Sequence, residues 1–327
     1  MKRIRSFALA LGALVVCPQA SRATTLAEAF ATDPLARNWI ATGNTNLFHW
    51  NAANQNLEVN WDSSQTNSYF CRAFGTSLTK ASDFMLGFDL RLNDITGGVN
   101  PSKPFPFQIS IGLLNLALAT NIGFIRGSGD GSPDLVEFDY FPGAIFDPTV
   151  SPVLISSNNE FSDGGFTFPL ELTTNVVYHV TMLYLAEDRT LRTTMSSNGV
   201  PFGPVKDCTL NTNFSDFSVD HFGVSSYSDV GQFPGFEGSV LARGVVDNFM
   251  FAAPPPVTRV KAVNGSGIAN VQFRATTNWL YTLERSTDLQ AWNRVSAPLS
   301  GVSDTMELQD TNPPAANAFY RVHAEYP

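Results

Sequence analysis

Apolar and polar residues alternate with a period of two along most of this chain, the spacing expected of β-strands with one buried face. In DFMLGFDLRL, Phe84, Leu86, Phe88 and Leu90 fall on one face. In FPFQISIGLL, Phe107, Ile109, Ile111 and Leu113 do the same, while Gln108, Ser110 and Gly112 face away. The run VVYHVTMLYL, residues 176–185, is apolar on both faces, which predicts a central strand packed on each side. LRTTMSSNGVPF alternates into Asn198-Gly199, a pair that favours a type I′ hairpin turn. FSVDHFGVSSYS and VDNFMF (246–251) read as further strands. Helical spacing is confined to TTLAEAFA, residues 24–31, which reads as a short helix or a segment adjoining the export signal.

Many strands joined by Gly, Pro, Asn and Asp turns imply an all-β fold, a sandwich rather than an alternating βα core. The tri-proline run in Ala252-Ala253-Pro254-Pro255-Pro256 blocks both helix and ladder hydrogen bonds and marks a linker over 253–256. It separates a body, residues 24–252, from a tail, residues 257–327. The body is long for an immunoglobulin-sized unit and suits a large two-sheet jelly-roll sandwich. The 26 phenylalanines fit that architecture, because alternating rings fill the space between two sheets. The tail has strands of its own in NVQFRA (270–275), WLYTLERS (279–286), WNRVSA (292–297), TMELQD (305–310) and AFYRVHAE (318–325), enough for a small β-sandwich.

Residues 1–23 read as an export signal: Lys2, Arg3 and Arg5, then the apolar Phe7–Cys17, then Ser21-Arg22-Ala23 as a cleavage point. The apolar run is too short to span a bilayer, so the protein is expected outside the cytoplasm, secreted or periplasmic, with no membrane insertion. Removing this segment takes away Lys2, Arg3, Arg5 and Arg22 and no acid, which moves the formal charge from −9 to −13. Such a chain is repelled by phosphate backbones, which disfavours nucleic acid and favours neutral glycans or cations as partners. Cys71 and Cys208 remain, either bonded to each other or as two separate thiols.

The segment LVEFDYFPGAIFDP, residues 135–148, carries the most chemistry. Glu137 and Asp139 are two apart on a strand and therefore share a face. A Pro142-Gly143 turn then leads to Asp147-Pro148. Three acids and nearby carbonyls at one strand end suit a hard cation such as Ca2+, which takes six to eight oxygens. Two carboxylates on a solvent-facing strand followed by ordinary turns are the plainer alternative.

Val136-Glu137-Phe138-Asp139, with Phe141 and Asp147-Pro148, resembles the metal loop of legume-type lectins, members of the concanavalin A-like sandwich fold. The resemblance implies Glu137 and Asp139 as ligands of a transition metal, and Asp139, the Phe141 carbonyl and Asp147 as calcium ligands. The family's asparagine position is Gly143 here, and no histidine occurs between His49 and His179. Laminarinase-type glycoside hydrolases share the fold and use a third carboxylate after such a pair; here Tyr140, Phe141, Pro142 and Gly143 follow. The tail phrase YTLERSTDLQAW…FYRV resembles immunoglobulin- or fibronectin-III-like modules of secreted bacterial proteins.

FHWNAANQNLEVNWDSSQTNSYF, residues 48–70, mixes Trp50, Trp61 and Tyr69 with amides, a combination that can stack on sugar rings or simply anchor two strands. His179 lies in an apolar strand, and Asp220 and His221, as strand neighbours, are expected on opposite faces. No nucleophile elbow or His-Glu-x-x-His motif occurs. Three functions are therefore expected in descending order. The first is a non-catalytic carbohydrate-binding protein, calcium-supported through the acidic loop. The second is an adhesion or structural protein contacting a glycan or extracellular matrix component. The third is a polysaccharide-degrading enzyme.

Overall fold

The structure, a computed structural model, describes residues 24–165, 169–265, 268–302, 304–314 and 318–326; the export segment expected over residues 1–23 lies outside the described residues. The body is two antiparallel sheets packed face to face. The larger runs Val200–Phe202, Thr190–Ser197, Val177–Leu185, Phe84–Gly97, Gly238–Ala253, Asn56–Asp62, Phe48–Asn51, with three short strands paired along it. The second runs Phe161–Asp163, Thr149–Ile155, Leu135–Phe141, Ile109–Leu114, Val219–Ser226, Ser68–Leu78, Trp39–Thr42.

Period-two alternation puts Phe84, Leu86, Phe88, Leu90 and Leu92 of the first sheet inward, against Ile109, Ile111, Leu113 and Phe138 of the second. Phenylalanines close the gap: Phe88 meets Phe138 edge-on with centroids 5.6 Å apart, and Phe222 stacks on Phe251 at 5.7 Å. The hairpin at Asn198-Gly199 forms as expected, with φ of 51° and 76°, the two left-handed residues a type I′ turn needs.

Three expectations are corrected. Thr24–Glu28 is a strand, not a helix, and pairs antiparallel with Gly238–Ala253 through Leu26 and Phe251. So short a helix cannot repay its own nucleation, whereas a sixteen-residue strand offers it a ready partner. Val177–Leu185 is packed on one face only; Tyr178, Val180, Met182 and Tyr184 point inward, and Val177 and His179 lie exposed. Ile109–Leu114, expected to alternate, is instead buried on both faces, and Leu135–Phe141 is buried on both faces as well. The segment between them crosses back over the outer face of their sheet, so this open-looking surface is roofed at its centre.

The tail holds a three-stranded sheet, Val257–Gly265, Ile268–Ala275 and Thr305–Asp310, and a four-stranded one around Leu280–Ser286. Val271, Phe273, Trp279, Tyr281, Leu283 and Leu308 form its core. The strand expected over 292–297 shrinks to Asn293–Arg294, with Leu299–Ser300 as a separate short strand. Cys71 and Cys208 are separate, buried thiols on different sheets. Burial pushes both up to about 12, so neither is a reactive thiolate at neutral pH. No helix among the described residues is long and apolar enough to cross a membrane.

Candidate functional site

Glu137 and Asp139 stand on the outer face of the second sheet, opposite Gly112 and Ser110 on one neighbouring strand. They do share a face, as their spacing requires, but that face is not open: they are 1% and 2% exposed. The roofing segment lowers Arg126 onto them. Its Nε donates to Glu137 Oε2 at 3.1 Å and its Nη2 to Asp139 Oδ2 at 2.5 Å. Tyr227 Oη donates to Glu137 Oε1 and Ser110 Oγ to Asp139 Oδ1, each at 2.5 Å. The guanidinium also lies against the ring faces of Tyr227 and Phe161, at 5.8 and 6.0 Å.

One buried cation between two buried carboxylates leaves an excess negative charge. Burial, then the neighbouring Asp139, raises the Glu137 carboxyl well above its ordinary range, against the opposing pull of Arg126 and Tyr227. Burial raises Asp139 as well, opposed by Arg126 and Ser110. Burial and Glu137 push the Tyr227 phenol up, which keeps it a hydrogen-bond donor.

The calcium-loop expectation does not fit these residues. The oxygens that would grip a divalent ion already hold a guanidinium, a phenol and a hydroxyl. Asp147 is exposed in the turn beyond the strand end, and Phe141 packs its ring near Phe146 at 6.4 Å. Among the described residues, no group of three or more His, Cys, Asp or Glu is placed to hold a metal ion. The same burial removes the glycosidase reading of this pair, because neither carboxylate can reach a glycosidic oxygen.

The proposed aromatic platform is also dispersed. Trp61 and Tyr69 are each 1% exposed, Trp61 within the inter-sheet core and Tyr69 with its hydroxyl donated to the Ala119 carbonyl at 2.8 Å. Trp50 is half-buried and donates its Nε1 proton to Phe30 O at 2.9 Å. Strand alternation buries Trp61 and Tyr69 because they occupy inward or roofed positions, so the three rings form no shared stacking face.

What the fold does open is a cleft of about 800 Å³ at one end of the second sheet. Its floor includes Tyr69, which meets Tyr227 edge-on at 5.9 Å and so rests on the ionic cluster. One wall is the one-turn helix Leu116–Ala119 and the turn after it, Thr120 to Ile122. Asn115 caps that helix by accepting from Leu118 N, and Asp220 Oδ1 accepts from Leu116 N at 3.1 Å. The facing wall is Thr42 and Gly43 with Thr66 and Asn67. Asn67 stiffens it, donating to Phe124 O and accepting from Ser228 N, each at 2.8 Å. Thr42 Oγ1 has no hydrogen-bond partner among the described residues.

Asp220 and His221 complete the cleft. Contrary to the strand-alternation expectation, they meet: His221 Nδ1 lies 2.7 Å from Asp220 Oδ1. The register between Val219–Ser226 and Ser68–Leu78 slips between Val219 and His221, with the surplus residues, Phe74 to Ser77, on the partner strand.

Sequence reasoning missed Arg126 and the cleft as a whole, although it singled out Tyr69, Asp220 and His221, which line it. Its lining comes from four separated segments, and no local pattern marks them. A signal for Arg126 did exist. Val136, Phe138 and Tyr140 alternate with the two acids inside an apolar run, and acids so placed require an internal cation when the second face is covered.

No family model matches the chain, and no curated protein sequence matches it. Solved structures do resemble it. Peanut lectin with a nine-residue peptide aligns at 13% identity and TM-score 0.41, covering 71% of this chain and 98% of the lectin. Lectin II from Ulex europaeus aligns at 11% and 0.42 with the same coverage. A mutant alginate lyase in complex with an alginate trisaccharide aligns at 14% and 0.36, covering 70% of this chain and 97% of the lyase.

Proposed function

We propose that this chain is an exported, non-catalytic carbohydrate-binding protein whose ligand site is the cleft beside the Leu116–Ala119 helix. One observation carries the reading: an open cavity of saccharide size whose walls combine hydroxyls and amides with a short apolar strip, Leu116, Ala117 and Ile122. Sugars need that combination, polar groups for their hydroxyls and apolar surface for their C–H faces. The acidic chain and the absence of Lys or Arg from the lining support a neutral ligand over a phosphate-bearing one. Binding does not call on calcium at Glu137 and Asp139, whose oxygens are engaged by Arg126, Tyr227 and Ser110.

An oligosaccharide array probed with and without chelator tests this, with Ala117→Trp as the variant that fills the cleft. Binding that survives chelator and is lost in Ala117→Trp is the expected result. An array blank for the full chain would sink the proposal. Binding that persists unchanged in Ala117→Trp would move the site elsewhere.

A further inference from the structure

The Asp220–His221 pair has chemistry more specific than the rest of the cleft wall. We propose that it makes the cleft selective for neutral, hydroxyl-rich saccharides over uronate or sulfated ones, with His221 as the specificity-determining acceptor. The inference rests on the cleft being the ligand site and adds which class of glycan it takes.

A carboxylate can only accept, so with a neutral ring the 2.7 Å contact places the proton on His221 Nδ1. The other ring nitrogen, Nε2, is then a bare acceptor on a residue that lines the cleft. Asp220 is itself anchored by the Leu116 N–H at the start of the helix, so the ring is held rather than floating. The register slip in the paired strand Ser68–Leu78 falls opposite Asp220, where the strand meets the cleft.

Such a pair offers acceptors and a negative charge. A ligand hydroxyl answers it by donating to Nε2. The carboxylate of a uronate or the ester of a sulfated sugar has only acceptors to offer at that position, meets the Asp220 charge, and finds no Lys or Arg among the lining residues to compensate. The remaining polar lining residues, Thr42, Thr66, Asn67, Tyr69, Thr120 and Asn121, are neutral and do not alter that balance.

Calorimetric titration of the full chain at neutral pH tests the proposal. The probes are neutral gluco-, galacto- and manno-oligosaccharides, oligouronates, and sulfated galactan oligosaccharides. The expected result is binding of at least one neutral series with no heat from the anionic ones. His221→Phe should weaken that binding by about tenfold, and His221→Gln, which keeps an acceptor, by less. Asp220→Asn should narrow the gap between neutral and uronate ligands. Should Asp220→Asn lose the Leu116 bond and fail to fold, the two His221 variants carry the test, with thermal melts confirming that they are folded. Uronates binding as well as neutral sugars, or His221→Phe binding like the parent, would overturn the selectivity while leaving the cleft as a glycan site. No heat from any probe would remove the cleft reading and this inference with it.

Discussion

Arg126 stands between two carboxylates that have nowhere else to place their charge, and its removal is expected to be severe. Leaving a buried pair without its cation costs about 3–5 kcal/mol. Urea denaturation of Arg126→Met should show a loss of that order, whereas chelator should leave the parent's midpoint unchanged. Glu137 adds a pH signature. Its carboxyl is raised in the folded state, so between the ordinary carboxylate range and about 7 the native protein binds more protons than the unfolded chain. Stability from this group is therefore highest at the acid end of that window and declines as pH rises through it, flattening above. Glu137→Gln keeps an acceptor for Tyr227 and should flatten the profile; a slope of the same size in that variant would refute the assignment. The acids themselves were legible in VEFDYF, and so was their shared face. Their partner was not, because Arg126 lies eleven residues away in a segment whose path over the sheet depends on tertiary packing.

At the scale of elements, the second sheet depends on close backbone approach at its centre. Gly112 and Gly223 lie directly opposite each other on neighbouring strands. A Cβ at Gly223 would come 2.1 Å from Phe70 O, and one at Gly112 2.2 Å from Val136 O. Both obstacles are backbone atoms of paired strands, which cannot swing aside as a side chain would. Gly223→Ala is therefore expected to cost roughly 3 kcal/mol, the upper end for overpacking, read as a lowered denaturation midpoint or as insoluble protein. Most elements of the body were readable from period two and turn residues, and the Asn198-Gly199 hairpin shows why: its turn chemistry is local. Thr24–Glu28 was misread because its state is set by a partner more than two hundred residues away. The register slip opposite Asp220 was invisible for a related reason, since a slip belongs to two strands and not to one. With it went the His221–Asp220 contact, and so the most specific corner of the cleft.

At the scale of the whole molecule, two apolar clusters meet where the long Gly238–Ala253 strand ends. Ala252 belongs to the tail's core, with Met85 and Met250 packed against it, so the tail rests on the body rather than hanging from a free linker. One hydroxyl fastens the junction. Tyr281 Oη lies 2.8 Å from the Pro256 carbonyl, to which it donates, and accepts from Thr276 N at 2.9 Å. The residue is fully buried, so Tyr281→Phe leaves a buried N–H and a buried carbonyl without their partner while preserving ring packing. The loss should be about 1–3 kcal/mol and should fall on the tail alone. Trp279 and Trp292 report on the tail, the former buried in its core. Their emission should shift at lower denaturant in the variant, while the pH profile set by Glu137 and the affinity of the cleft stay as in the parent. Equal loss in both parts would instead mean that tail and body unfold as one cooperative unit, with the Ala252 contact strong enough to couple them.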